Sequence, residues 1–197
     1  MKFVIALVLS LLSLAAAARS PEWQMVQSPN WQMAQSNDWQ MIVSRDLRFQ
    51  VSMPAPVEQT TSPEKETGHA GARVAWAAKL DQEMFDFDFV DYDAGYFTAG
   101  GRDAKVMARE LGRGEAERAF PRPQFKFVLD RHVMHQGWDG YALDIEDANG
   151  AAVMMRTFIV RDRLYRLLVT HKGDAKTKTA AQRFIDSLKF AETRQQP

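Results

Sequence analysis

Hydrophobic and polar positions alternate most regularly between Glu83 and Asp93. There Phe85, Phe87 and Phe89 share one parity, and Asp86 and Asp88 the other. Period two is the mark of an extended chain with one face covered. The run Ala72–Leu80, with Val74 and Trp76 on one face, reads as its hairpin partner. Three more strands are predicted in succession: Trp138–Asp147, Ala151–Arg161 and Leu164–Lys172. Tight turns join them, the first at Asn149-Gly150. The middle run, Val153 to Val160, is apolar on both alternating faces over much of its length. Such a strand needs cover on both sides and belongs near the middle of a sheet. Phe125–Met134 is a strand leading into these three.

Helical spacing occurs twice. Asp103 is placed to cap a helix over Ala104–Leu111, with Met107 and Leu111 towards the core. Gly112 and Gly114 weaken its continuation. The second helix spans about Ala175–Phe190, with an apolar stripe of Ala181, Phe184, Ile185 and Leu188. Phe49–Met53 alternates and stops at Pro54-Ala55-Pro56, because proline lacks the amide donor a ladder needs. Val57–Gly71 is polar and reads as a loop. Hairpin connections dominate this order. The expected class is α+β, with a mostly antiparallel sheet of about six to seven strands and helices packed on it, over residues 45–190. The tail, 191–197, is expected to fray.

The chain ahead of the domain has two parts. Residues 1–18 follow the order of a secretory signal peptide: Lys2, an apolar run from Phe3 to Leu14, then small residues with cleavage expected after Ala18. Residues 19–44 carry an octapeptide repeat in three copies, each containing Trp-Gln-Met at Trp23, Trp31 and Trp39. An even period keeps the tryptophans on one face of an extended chain, whereas a helix would rotate each by about 80°. Two meanings compete for this arm. One makes Trp23, Trp31 and Trp39 anchors for a partner surface. The other is a tandem duplication of which only the copy nearest the domain packs.

Composition narrows the function. The 25 basic and 25 acidic residues of the 197-residue chain cancel, which removes the electrostatic footprint of a nucleic-acid binder. No stretch after the leader is apolar enough to cross a bilayer. With no cysteine there are no disulfides and no lipid attachment, so the core alone must hold an exported chain together. A bacterial periplasmic or secreted location is expected.

Two stretches carry a family resemblance. The first is Trp39, Ser44 and Phe49-x-Val51-x-Met53-Pro54. The second is Thr157 to Val160 and Arg163 to Leu168, followed by Phe184-Ile185-Asp186-Ser187-Leu188. Together they resemble exported bacterial domains of unassigned function related in fold to PsbP. The resemblance spans about Trp39 to Phe190. It implies a central antiparallel sheet between helices, an α/β/α sandwich, and it implies no catalytic set. The leading segment normally occurs once in such domains, so three copies depart from the pattern.

Candidate chemistry is sparse. His132 and His135 are three apart, a ligand spacing that works on a helix, but on a strand they face opposite sides. Asp86, Asp88, Asp91 and Asp93 form the strongest acidic cluster; its strand spacing reads as a solvated sheet face. There is no Gly-x-Ser-x-Gly elbow and no phosphate loop, so neither a cofactor nor a catalytic set is assigned. Two readings remain. One is a non-catalytic exported domain that binds a protein or envelope component. The alternative is a hydrolase or metal-dependent enzyme with a site assembled around Asp86, Asp88, His132 and His135.

Overall fold

Each predicted strand between Phe125 and Lys172 is present, and hairpins join them in sequence. The computed structural model describes residues 39–63, 70–99, 103–119 and 125–191, all within the unit Asn37–Pro197. The leader, the repeat copies with Trp23 and Trp31, and residues 192–197 lie outside these. In chain order the elements are β1 (Trp39–Val43), β2 (Phe49–Pro54), β3 (Val57–Pro63), β4 (Ala70–Leu80), β5 (Glu83–Tyr92) and α1 (Ala104–Ala119). They continue with β6 (Phe125–His135), β7 (Trp138–Asp147), β8 (Ala152–Val160), β9 (Arg163–His171), α2 (Ala175–Ser187) and β10 (Lys189–Phe190).

Seven strands form one sheet in the order β3-β4-β5-β9-β8-β7-β6, and β1-β2-β10 form a small second sheet. All pairings are antiparallel. β8 lies inside the large sheet between β9 and β7, as its two apolar faces require. One face of the large sheet buries Phe85, Phe87, Phe158, Tyr165, Leu167 and Val169. They pack against Ala181, Phe184 and Leu188 of the α2 segment and Phe49, Val51 and Met53 of β2. The other face buries Leu143, Val153, Met155, Ile159 and Leu164 against Ala108 and Ala116 of α1. The alternation along β5, β8 and β9 thus serves two cores at once. No described helix is long and apolar enough to cross a membrane.

Four sequence expectations are corrected. Val57–Gly71 is not a loop throughout, because Val57–Pro63 pairs with β4 along its whole length. Its side chains from Glu58 onward are exposed, so backbone pairing at an edge forms this strand without a hydrophobic pattern. Phe49–Met53 belongs to the small sheet, not the large one. The first helix does not stop near Leu111; it runs through Gly112 and Gly114 to Ala119. The second stops at Ser187, and Phe190 turns back to pair with Phe49.

Local chemistry accounts for these boundaries. Asp174 caps α2 by accepting a hydrogen bond from the Thr177 amide at 2.9 Å. At the other end the Ser187 hydroxyl donates to the Phe184 carbonyl at 2.6 Å, and its oxygen accepts from the Ser52 amide of β2 at 2.9 Å. The helix end is thereby fastened to the small sheet. In the β1–β2 turn, the Phe49 amide donates to the Ser44 hydroxyl at 3.1 Å, and Leu47 sits at φ 57°.

Candidate functional site

α2 and the small sheet cover β5 and β9, but not the whole of that face. Towards β8, β7 and β6 a groove remains, with α2 as one wall and β6 as the other. It consists of two adjoining cavities of about 430 Å³ and about 360 Å³, which share Asp144, Met154 and Gln182 in their linings. Met154, Ala152 and Phe158 give the floor its apolar character. Leu129, Arg131, Val133 and His135 alternate along the β6 wall, all lining the groove.

Four polar groups of the groove, Arg156, Asp144, His135 and His171, are held by the scaffold. Arg156 is buried on β8, and its guanidinium donates to Asp144 of β7 at 2.5 Å and to the Met155 carbonyl at 2.8 Å. His135 Nε2 donates to the Leu188 carbonyl at 2.7 Å, while its ring packs on Phe158 and Phe190. His171 is buried at the other end, and its Nδ1 accepts from the Gly173 amide at 3.0 Å. Burial, helped by the nearby Lys178 charge, pushes the His171 pKa below the ordinary histidine value, so the neutral ring is favoured.

The four residues of the metal-site or hydrolase reading do not meet. His132 is exposed and stands edge-on to Tyr141 at 5.4 Å, on the α1 side of β6, while His135 faces the groove. Asp86 and Asp88 are on β5, with β9, β8 and β7 between them and β6. Among the described residues no group of three or more histidines, cysteines, aspartates or glutamates could hold a metal ion.

The acidic run on β5 is not the solvated face its spacing predicts. Asp88 is 4% exposed. It accepts from Arg73 of β4 at 2.7 Å and from Arg166 of β9 at 2.9 Å. Arg166 also donates to Glu115 of α1 at 2.8 Å, which ties the helix to the sheet. Burial first, then the charge of Asp88, raises the Asp86 pKa to about 6, and Arg73 opposes them only in part. Asp91 receives Arg163 bidentately at 2.6 and 2.7 Å. Long arginines on neighbouring strands convert an acidic stripe into a buried clamp, and parity alone carries no trace of that.

Trp39 packs into the domain. Its ring meets Phe85 edge-on at 5.8 Å, and the Arg183 guanidinium of α2 lies 4.3 Å from its centre. Trp23 and Trp31 lie outside the described residues. Sequence reasoning missed the groove residues Arg131, Asp144, Arg156, His171 and Lys178. One signal was available: Arg156 is a charge inside an otherwise apolar central strand, and it required a buried partner.

No family model and no curated protein matches the sequence. Among solved structures, the chain is similar to the cyanobacterial PsbP protein CyanoP of Synechocystis sp. PCC 6803. The TM-score is 0.56 at 9% identity, over 83% of this chain and 98% of that one. A Pseudomonas aeruginosa protein of unknown function, described as a putative regulator, gives a TM-score of 0.38 at 14% identity, covering 76% and 95% of the two chains. The Saccharomyces cerevisiae Ran-binding protein Mog1p gives 0.39 at 8% identity, covering 80% and 98%. Neither of these two scores adds to the fold assignment. With seven antiparallel strands between α1 on one face and α2 with a small sheet on the other, this chain has the PsbP-like fold.

Proposed function

We propose that the chain is an exported, non-catalytic binding domain whose groove between α2 and β6 receives part of a protein or an envelope component. One observation carries the reading. The groove's apolar floor is open, while the lining groups Asp144, His135 and His171, those suited to acid–base work, are each engaged by the scaffold. A general acid or base must reach the proton it moves. Residues held in this way shape a surface instead. At the rim, Val128 and Met134 are more than half exposed, as in a contact surface. Export rests on the leader pattern and the cysteine-free composition. The repeats extend the same reading: Trp23 and Trp31 are the partner anchors, and Trp39 fastens the base of the arm to Phe85.

The test uses the full chain in a bacterial host. The mass of the exported protein reports cleavage after Ala18. A photocrosslinker at Met134 is compared with one at Val106 on α1, and both are repeated in an Ala152→Trp variant that fills the groove. A single defined partner crosslinked from 134 only, and lost in the filled variant, supports the reading. Equal crosslinking from both positions, or no effect of filling, overturns it. Deleting Pro21–Ser36 then assigns the arm: unchanged partner binding removes Trp23 and Trp31 from the interface.

A further inference from the structure

We infer that the partner of this groove presents an extended, acidic segment that adds to the free edge of β6 as a further strand of the large sheet, so that its side chains on the groove face lie beside Arg131. The inference rests on the binding reading above and names the chemistry of its partner.

β6 ends the strand order, and it is eleven residues long. Among the described residues nothing pairs with its far side, so a row of backbone donors and acceptors is available there. The opposite edge is different. β3 has seven residues, and Thr60, Thr61, Ser62 and Pro63 offer an added strand neither apolar side chains nor, at the proline, an amide. Edge strands are ordinarily kept polar, yet β6 exposes Val128 at 59% and Met134 at 56%. The bulge between Phe127 and Leu129 kinks one end, leaving Leu129–His135 in regular register with β7.

The charges select the partner. On β6, Lys126 is matched by Glu146 at 3.6 Å and Asp130 by Arg113 at 2.9 Å. Arg131 has no ion pair among the described residues. Across the groove Asp144 is matched by Arg156, and Asp186 accepts from Gln182 at 2.7 Å. Lys178 also has no ion pair among the described residues. Asp186 has only the neutral Gln182 as a partner among the described residues, but it lies on α2. On β6 itself Arg131 is the one charge without an ion pair among the described residues, so a segment that pairs with β6 brings a carboxylate.

Register sharpens this further. Leu129, Arg131 and Val133 line the groove at every second position of β6. Directly opposed residues of paired strands share a face. The groove side of an added strand therefore reads apolar, acidic, apolar at alternate positions. The acidic residue pairs with Arg131, and its apolar neighbours cover Leu129 and Val133.

The experiment uses the exported chain and a short fluorescein-labelled peptide. The peptide carries valine, glutamate and valine at alternate positions with threonine between, and a control carries lysine in place of glutamate. Anisotropy measures affinity, and amide hydrogen exchange maps the contact. The glutamate peptide is expected to bind at least tenfold tighter than the lysine peptide and to slow exchange along β6. Arg131→Glu, at an exposed position, is expected to invert the preference with an unchanged melting temperature, and Arg131→Gln to abolish it. Equal affinities, no binding of either peptide, or slowed exchange that spares β6 overturns the inference. If that happens while the Met134 crosslink and its loss in the filled variant persist, strand addition fails and the groove reading stands. If the crosslink itself fails, the groove reading falls first.

Discussion

Gly112 of α1 lies directly against Thr157 of β8: a Cβ added at 112 would sit 2.8 Å from the Thr157 hydroxyl oxygen and 3.5 Å from its Cβ. The glycine weakens the helix by roughly 0.5–1 kcal/mol relative to alanine, yet it lets the helix backbone reach the sheet. Gly112→Ala is therefore expected to destabilise by about 1–3 kcal/mol through overpacking, despite alanine's better helix propensity. The Thr157 hydroxyl is buried and has no hydrogen-bond partner among the described residues. Thr157→Ala removes the clashing atom and leaves no donor behind. The double variant should recover most of the loss, which a double-mutant cycle by urea denaturation will measure. Additive losses would mean the two positions are uncoupled.

Asp86 makes stability depend on pH. Its folded pKa, about 6, stands above the ordinary 3.8 because burial and Asp88 outweigh Arg73. The folded state thus holds the proton more tightly than the unfolded state. The stabilisation is fully present below the unfolded value and is lost as pH rises through about 6. Asp86→Asn should stabilise by about 1–2 kcal/mol at pH 7, short of the full shift because water still reaches the carboxyl. The advantage should fade towards pH 4. His171 acts in the opposite sense: its pKa is lowered, so its contribution is present above 6.5 and is lost below it. Unfolding free energies of the wild type, Asp86→Asn and His171→Gln across pH 4–8 separate the two.

Arg163 is the hub that joins the two sheets. It is 4% exposed, grips Asp91, reaches Asp46 in the β1–β2 turn at 2.8 Å and lies 4.0 Å over the Phe89 ring. Arg163→Ala is expected to cost about 3 kcal/mol, since a pair is broken and an aromatic face is uncovered. Arg163→Lys should recover less than half of this, because an ammonium cannot reproduce the fork. Asp91→Asn should cost less than either, since Asp91 keeps 47% exposure and can turn to water. Chemical denaturation ranks the three.

Trp39 should prove structural. Replacing it with alanine removes the Phe85 and Arg183 contacts and is expected to cost about 2–3 kcal/mol, below the range for a fully buried tryptophan. Arg183→Ala, which keeps the Phe85 contact, should cost under 1 kcal/mol. A Trp39→Ala variant with an unaltered melting curve would release this tryptophan for partner contact.

Much of the fold was legible along the chain. Phe85, Phe87 and Phe89 reported β5, Val153 to Val160 reported an inner strand, and the Ala181, Phe184, Leu188 stripe reported α2. In each case a local period records one face leaving water. The opposed directions of His132 and His135 followed from the same rule, and the structure has them so.

What only tertiary structure decided was what covers each face and which backbone lacks a neighbour. β3 exists because β4 offers it a ladder, so its exposed threonines and serine hold no periodic signal. Asp88 is buried because Arg73 and Arg166 converge on it from two other strands, while Glu115 of α1 holds Arg166 from the helix side. The groove exists because α2 stops short of β6. The hydrophobic period of a segment depends only on which side chains leave water. A buried ion pair, an uncovered strand edge and a cleft depend on segments distant in sequence, and no local pattern encodes their meeting.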